Sequence, residues 1–330
     1  MVCSLRWLSL LIPLSLFAAL PARAEVHPGE DAFVRELAAQ SGRSPQELTA
    51  VLDGARKQQS ILDAIARPAE ATKTWAQYRP IFLTDKRIDD GVGFYRANRE
   101  LLDRIGAEYG VPPQIIVAII GVETGYGHNT GKYRVLDALA TLAFYYPPRA
   151  KFFRGELKQL FLLGDQHLAY PIEQLRGSYA GAMGWGQFMP TSVANWAKDE
   201  DGDGRIDLWN SLPDITASIA NYFREHGWQS GQPVAVRAQP AEQLHPLSPQ
   251  GLEPLYPIEQ MEAWGYAPTE RVAAGLAATL LTLEGERGPE YWLTFKNFQV
   301  ISRYNKSPLY SMAVWQLAQA IAAGASPGTP

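Results

Sequence analysis

Glu123 closes an unbroken apolar stretch, Ile115 to Val122, that opens behind Pro112-Pro113 and is followed by Gly125 and Gly127. Proline suits the first turn of a helix, and glycine supplies the left-handed geometry on which helices end. The spacing therefore predicts a buried helix with a carboxyl at its C-terminal end. Apolar neighbours and the negative end of the helix dipole both disfavour the ionised form, so the pKa of this carboxyl should be raised. A carboxylic acid kept protonated near neutral pH is what glycosidic cleavage needs to protonate its leaving oxygen. A glutamate that simply reaches solvent is the more common case for such a residue taken alone. The surrounding residues must decide.

A second constellation is DEDGDGRIDLWN, Asp199 to Asn210. Acidic residues at loop positions 1, 3 and 5, glycine at 6 and isoleucine at 8 follow the calcium loop of an EF-hand. Asp199, Asp201 and Asp203, with the carbonyl of Arg205, are the candidate ligands. Position 12 should be glutamate and is Asn210, so closure has to come from elsewhere. Three carboxylates within five residues repel one another without a cation, which favours calcium over an empty acidic loop. A calcium-regulated sensor would need the paired hands such proteins usually carry, and one loop points to a structural ion.

The elements that must hold these residues read as mainly helical. Residues 25–98 form an N-terminal helical region with apolar residues at helical spacing (Phe33, Leu37; Leu48, Val51, Leu52; Ile61, Leu62, Ile65) and Ser44-Pro45 as a helix start. Residues 99–228 continue the helical pattern, interrupted by the glycine-dense loops TGYGHNTGKY and GSYAGAMGWGQFMP. Loops of this kind on rigid helices are where sites usually lie. In the second loop Gly177, Ala180, Gly181, Ala182 and Gly184 surround Ser178, which reads equally well as a tight-turn serine. Residues 229–303 lose helical periodicity, and TLLTLEG and YWLTFKNFQVI read as strands of a small antiparallel sheet. Residues 304–330 close the chain with the helix YSMAVWQLAQAIAAG. The fold class is α+β, mainly α.

Residues 1–24 read as a secretory signal: Arg6 precedes an apolar run from Leu8 to Leu20, and the stretch closes on Ala22-Arg23-Ala24. Cleavage near Ala24 would release a soluble, periplasmic chain. The only cysteine, Cys3, precedes the apolar run, which argues against a lipid anchor, disulfides and thiol chemistry. A net charge of −4 gives no electrostatic case for nucleic acid. Nine Trp, fifteen Tyr and twelve Phe permit a carbohydrate-binding cleft without proving one.

The motifs GVETGYG, LDALATLAFYYPPRAKFF, GSYAGAMGWGQFMPTS and ISRYNKS, in this order, resemble the membrane-bound lytic transglycosylase B family of murein-cleaving enzymes. The resemblance runs from about Trp75 to Gln319. It implies a lysozyme-like helical core with a flanking helical region and a small antiparallel β region. It also implies cleavage of the β-1,4 bond between N-acetylmuramic acid and N-acetylglucosamine in peptidoglycan, without water, to leave a 1,6-anhydro product. Glu123 occupies the place of the family's single acid and base, and no catalytic cofactor is implied. Ser178 matches the serine that hydrogen-bonds the catalytic glutamate and the acetamido group. Gln187, Phe188 and Met189 match groove-lining residues, and Tyr78, Tyr222, Tyr304 and Asn305 match cleft aromatics and an amide.

Arg149 matches one of two adjacent arginines whose other position is Pro148 here, and Phe152 stands where the family has tyrosine. The family's long metal loop points to Asp214 as the remaining calcium ligand. The implied partners are peptidoglycan glycan strands, with cell-wall synthesis or division proteins as further candidates. A catalytically silent peptidoglycan-binding or assembly scaffold is the competing reading, and the presence of Glu123 with Ser178 speaks against it. A hydrolytic muramidase would want a second carboxylate, for which Asp137, Glu156, Asp165 and Glu173 remain open.

Overall fold

The computed structural model describes residues 26–67, 73–247 and 251–326, without the side chains of 165 and 166. The signal segment 1–24 lies outside the described residues. The centre of the molecule is the helix Pro113–Thr124, in which Ile115, Ile116, Val117, Ile119 and Ile120 are all essentially buried. Each such side chain contributes up to about 1.5–3 kcal/mol of transfer free energy, an upper bound because unfolded chains already bury part of it. This helix is hydrophobic all round because it is covered all round. The long C-terminal helix Pro308–Ala325 and the helix Asp85–Ala97 both pack against it, and Arg99–Tyr109 and Leu212–Glu225 add further contacts.

Three local expectations hold. Ser44 caps the helix Pro45–Leu52 by accepting from the Glu47 amide, with proline at the first helical position. Pro113 opens the central helix and Gly125, at φ 58°, ends it. The helix read near the C-terminus is Pro308–Ala325, capped by Ser307.

The sheet is small, antiparallel and five-stranded, in the order Tyr256–Pro257, Ala277–Gly285, Gly288–Thr294, Ala235–Pro240, Tyr266–Pro268. Its inner face, with Val236, Leu280 and Leu293, packs on Ile258 and Met261 of the short helix Ile258–Ala263 and forms a core separate from the main one. TLLTLEG is a strand as read. YWLTFKNFQVI is corrected: the strand ends at Thr294, and Lys296–Tyr304 is a helix. Its aromatic and β-branched residues suggested a strand, but Phe298 and Ile301, three apart, bury one helical face. Buried Asn297 locks the turn by donating to the carbonyls of Gln229 and Gln232.

Candidate active site

The chain turns back immediately after Glu123. The Gly125 amide donates to the Gly121 carbonyl and the Tyr126 amide to that of Ile120, closing the helix end in the double-bonded manner that a left-handed residue permits. Thr124 ties the turn across the site. Its hydroxyl lies 3.1 Å from the carbonyls of Ile120 and Trp185 and accepts from the Gly127 amide. Tyr126, itself at φ 63° and buried, wedges between helices, stacks on Phe94 and donates to the Arg87 carbonyl at 2.8 Å. A non-glycine residue in the left-handed region is uncommon, and here surrounding contacts hold it there. Gly127 and Gly131 have no room for a Cβ, which would meet the Trp185 indole and the Gly177 carbonyl respectively.

The Glu123 carboxyl, half-buried, accepts a hydrogen bond from the Tyr310 hydroxyl at 2.6 Å. Tyr310 comes from the first turn of the C-terminal helix, almost two hundred residues along the chain. Burial, and then the charge of Glu123, push the pKa of both Tyr310 and Tyr304 well above the ordinary phenol value. Both therefore remain neutral donors. Tyr304 spends its proton on the Gly186 carbonyl at 2.6 Å, which fixes the WGQF segment opposite the Glu123 turn.

Glu123 opens into a cavity of about 410 Å³ shared with Phe82, Arg87, Asp90, His128 and Asn129. On the other side of the 125–130 turn lies a second cavity of about 480 Å³, walled by Trp185, Trp209, Tyr170 and Gln174. The two cavities border the same turn and make up the groove region, one with the carboxyl and the other with aromatic walls.

The other residues matched to the family's cleft fall into two groups, with Arg149 apart. Gln187, at φ 52°, is half-buried, and its amide donates to the carbonyls of Thr130 and Gly184. Ser178 is half-buried, and its oxygen accepts from the amides of Ala180 and Ala182, which leaves its proton as the group to be donated. Met189, half-buried, precedes the helix Pro190–Trp196.

A second group supports the site from beneath. Phe188 and Tyr222 are buried and pack with Tyr304 in one aromatic cluster. Tyr78 is buried against Phe82 and close enough to Tyr310 to influence it electrostatically. The side-chain Oδ1 of Asn305 accepts from the Ser307 amide, setting up the cap of the helix that carries Tyr310. Arg149 is in neither group: it is exposed and its guanidinium lies over the rings of Phe152 and Phe153.

Of the open second carboxylates, Asp137 is buried in an ion pair with Arg134, and Glu156 accepts from the Thr191 amide and hydroxyl. Burial raises the Glu156 pKa, partly opposed by those two hydrogen bonds. Sequence reasoning missed Tyr310 and Arg87, which no local motif signals.

In the acidic loop, carboxylate oxygens of Asp199, Asp201 and Asp203 lie within 4.8 Å of one another. Arg205 donates its amide to Asp203 and its guanidinium to the Leu168 carbonyl. Asp214 is buried, and its carboxylate accepts from the amides of Glu200, Asp201 and Asp207. Ile206, at loop position 8, bridges in parallel to Leu168, exchanging hydrogen bonds with His167 and Ala169.

A helical core with one glutamate at the end of its central helix, beside a groove, is the architecture of a glycan-cleaving enzyme of the lysozyme-like class. The family description Transglycosylase SLT domain matches residues 25–319, and the chain belongs to that family. It is a lytic transglycosylase. It is 41% identical over 305 residues to membrane-bound lytic murein transglycosylase B of Escherichia coli (strain K12), covering 90% of this chain and 83% of that protein. Soluble lytic transglycosylase SltB1 from Pseudomonas aeruginosa, solved in a catenated form, has 45% identity and a TM-score of 0.85 over 91% of this chain and 98% of that one. The Escherichia coli lytic transglycosylase Slt35, solved in complex with calcium, has 41% identity and a TM-score of 0.82 over 91% and 95%.

Proposed function

We propose that Glu123 is the single acid and base with which this enzyme cuts peptidoglycan between N-acetylmuramic acid and N-acetylglucosamine. As a carboxylic acid it protonates the bridging oxygen while the bond from that oxygen to the muramoyl C1 breaks. The acetamido oxygen of the same sugar shares the positive charge that develops at C1. The resulting carboxylate then takes the proton of the muramoyl C6 hydroxyl as that oxygen bonds to C1. Atoms balance without water, leaving a 1,6-anhydro end and a free 4-hydroxyl on the departing sugar. An internal nucleophile has an entropic advantage over a diffusing one.

The observation that carries this reading is the placement of Glu123: at the rigid end of a buried helix, its carboxyl held by Tyr310 and open to the groove. Two of the carboxylates that could serve a hydrolytic mechanism, Asp137 and Glu156, are committed to other contacts. A silent scaffold would have no use for a carboxyl so held. Glu123→Gln keeps the shape but can neither donate nor accept the required proton, so turnover should fall at least ~10³-fold while glycan binding and melting temperature persist. Full turnover by that variant would end the assignment.

Within the same reading, Ser178 and Gln187 contact the sugars, and Phe188, Tyr222, Tyr78, Tyr304 and Asn305 support the groove. Calcium held by Asp199, Asp201 and Asp203 stabilises the loop that follows it, with no part in proton transfer. The ion found with Slt35 supports this. The Arg205 carbonyl and Asp214, whose carboxylate also braces the loop amides, complete the ligand set of this reading. The signal-like residues 1–24 place the enzyme in the periplasm, and no single helix among the described residues is long and apolar enough to cross a membrane.

A further inference from the structure

Among the described residues, Arg87 of the Glu123 cavity forms no ion pair. Arg87 lines the Glu123 cavity, and its Nη1 is buried with no hydrogen-bond partner among the described residues. An unmade guanidinium hydrogen bond is costly, because a charged group loses water and gains nothing in return. The other cation of the cavity, Lys86, pairs with Asp90 at 2.7 Å, so the aspartate that lines the cavity is already taken.

Arg87 also sits where a helix disfavours it. It is the third residue of Asp85–Ala97, and its amide donates to the cap residue Thr84. A cation in the first turn opposes the helix dipole. Its placement is nonetheless fixed from two sides: the guanidinium lies over the Phe82 ring at 5.3 Å, and its carbonyl accepts from Tyr126 of the catalytic turn. The structure thus holds a preorganised guanidinium at the wall of the cavity that carries the reacting carboxyl, with one of its nitrogens buried and without a partner among the described residues.

We infer that Arg87 binds a carboxylate carried by the substrate on the 3-O-lactyl arm of the muramoyl residue. The sugar rings themselves are neutral, so the arm is where negative charge enters this groove. The carboxylate belongs either to the attached peptide or, on a peptide-free strand, to the lactyl group itself. A planar guanidinium matches either one with two parallel hydrogen bonds. Arg87 is then a specificity residue: it selects acylated, charged strands and sets their register against Glu123. This inference rests on the proposed role of Glu123.

The test compares wild type, Arg87→Gln and Arg87→Lys on four substrates. These are peptide-bearing strands, amidase-stripped strands with free lactyl carboxylates, and the same two after conversion of their carboxylates to neutral methylamides. On strands with carboxylates, Arg87→Gln should raise KM about tenfold and change kcat less than twofold, with Arg87→Lys in between. On methylamide strands the three enzymes should agree. If the KM effect appears only with peptide-bearing strands, the peptide supplies the carboxylate; if only with stripped strands, the lactyl group does. Equal KM changes on charged and neutral strands, or no change on either, would overturn the inference. Glu123→Gln run alongside separates the two readings: if it is inactive while Arg87→Gln shows no charge dependence, only the carboxylate contact falls.

Discussion

The turn after Glu123 and the acidic loop after Ala197 are both glycine-rich reversals between helices, yet they are held in opposite ways. Gly127 and Gly131 lie at positive φ with the Trp185 ring and the Gly177 backbone where a Cβ would be. Gly202 and Gly204 also have positive φ, but open space surrounds them. Packing from several elements fixes the first turn whether or not anything is bound. The second is folded by carboxylates that accept from its own amides, as Asp199 does from Gly202 and Gly204. On the proposed reading, the placed proton belongs to the packed turn and the ion to the loop that charge can close.

Substitution at the glycines would sharpen this contrast most. Gly131→Ala should cost several kcal/mol and lower the melting temperature steeply, since backbone must move to admit the methyl group. Gly204→Ala should cost only about 1–2 kcal/mol, the strain of the left-handed region itself. Comparable losses from the two, read by denaturant melts, would erase the distinction.

Tyr310→Phe removes the donor that holds Glu123 and should lower kcat about ten- to a hundredfold, from the ~1.5–3 kcal/mol of a hydrogen bond to a charged partner. Its melting temperature should move far less than that of Gly131→Ala. Activity at the wild-type level would show that packing alone sets the carboxyl.

Calcium should raise the melting temperature in a concentration-dependent way, because the ion binds the folded loop and not the unfolded chain. Asp203→Ala should abolish that increment, and chelation should lower stability more than it lowers turnover at moderate temperature. Identical melting curves with calcium and with chelator would mean that the loop is merely acidic. Loss of turnover by a folded, chelated enzyme would mean that the ion takes part in the site.

The smallest effect is expected at Glu156, which anchors the helix following the groove loop through Thr191. Its folded pKa is raised by burial, so the folded state holds this proton to higher pH than the unfolded chain does. Stability from this group is present below the ordinary glutamate pKa and is lost as pH climbs towards the raised value. Glu156→Gln should flatten that decline. A slope unchanged by the substitution would assign it to other groups.

What the sequence disclosed follows the same division. Glu123 was legible because its helix announces both ends locally, Pro112-Pro113 before and Gly125 after, and the acidic loop because its ligand spacing lies within twelve residues. Tyr310 and Arg87 were not, since only tertiary packing brings them to Glu123. The stretch Lys296–Tyr304 was misread because Phe298, Val300 and Ile301 favour strands intrinsically, while the face they bury decides for helix. Phe188 and Tyr222 matched a cleft pattern, but a motif does not distinguish a ring that touches sugar from one buried beneath the groove.

The most direct measurement is mass spectrometry of the products released from sacculi digested in heavy-oxygen water. The account predicts muramoyl ends lighter than the hydrolytic product by one water and free of the label, all of them lost with Glu123→Gln. Reducing-end muramic acid carrying the heavy oxygen as the dominant product would contradict it.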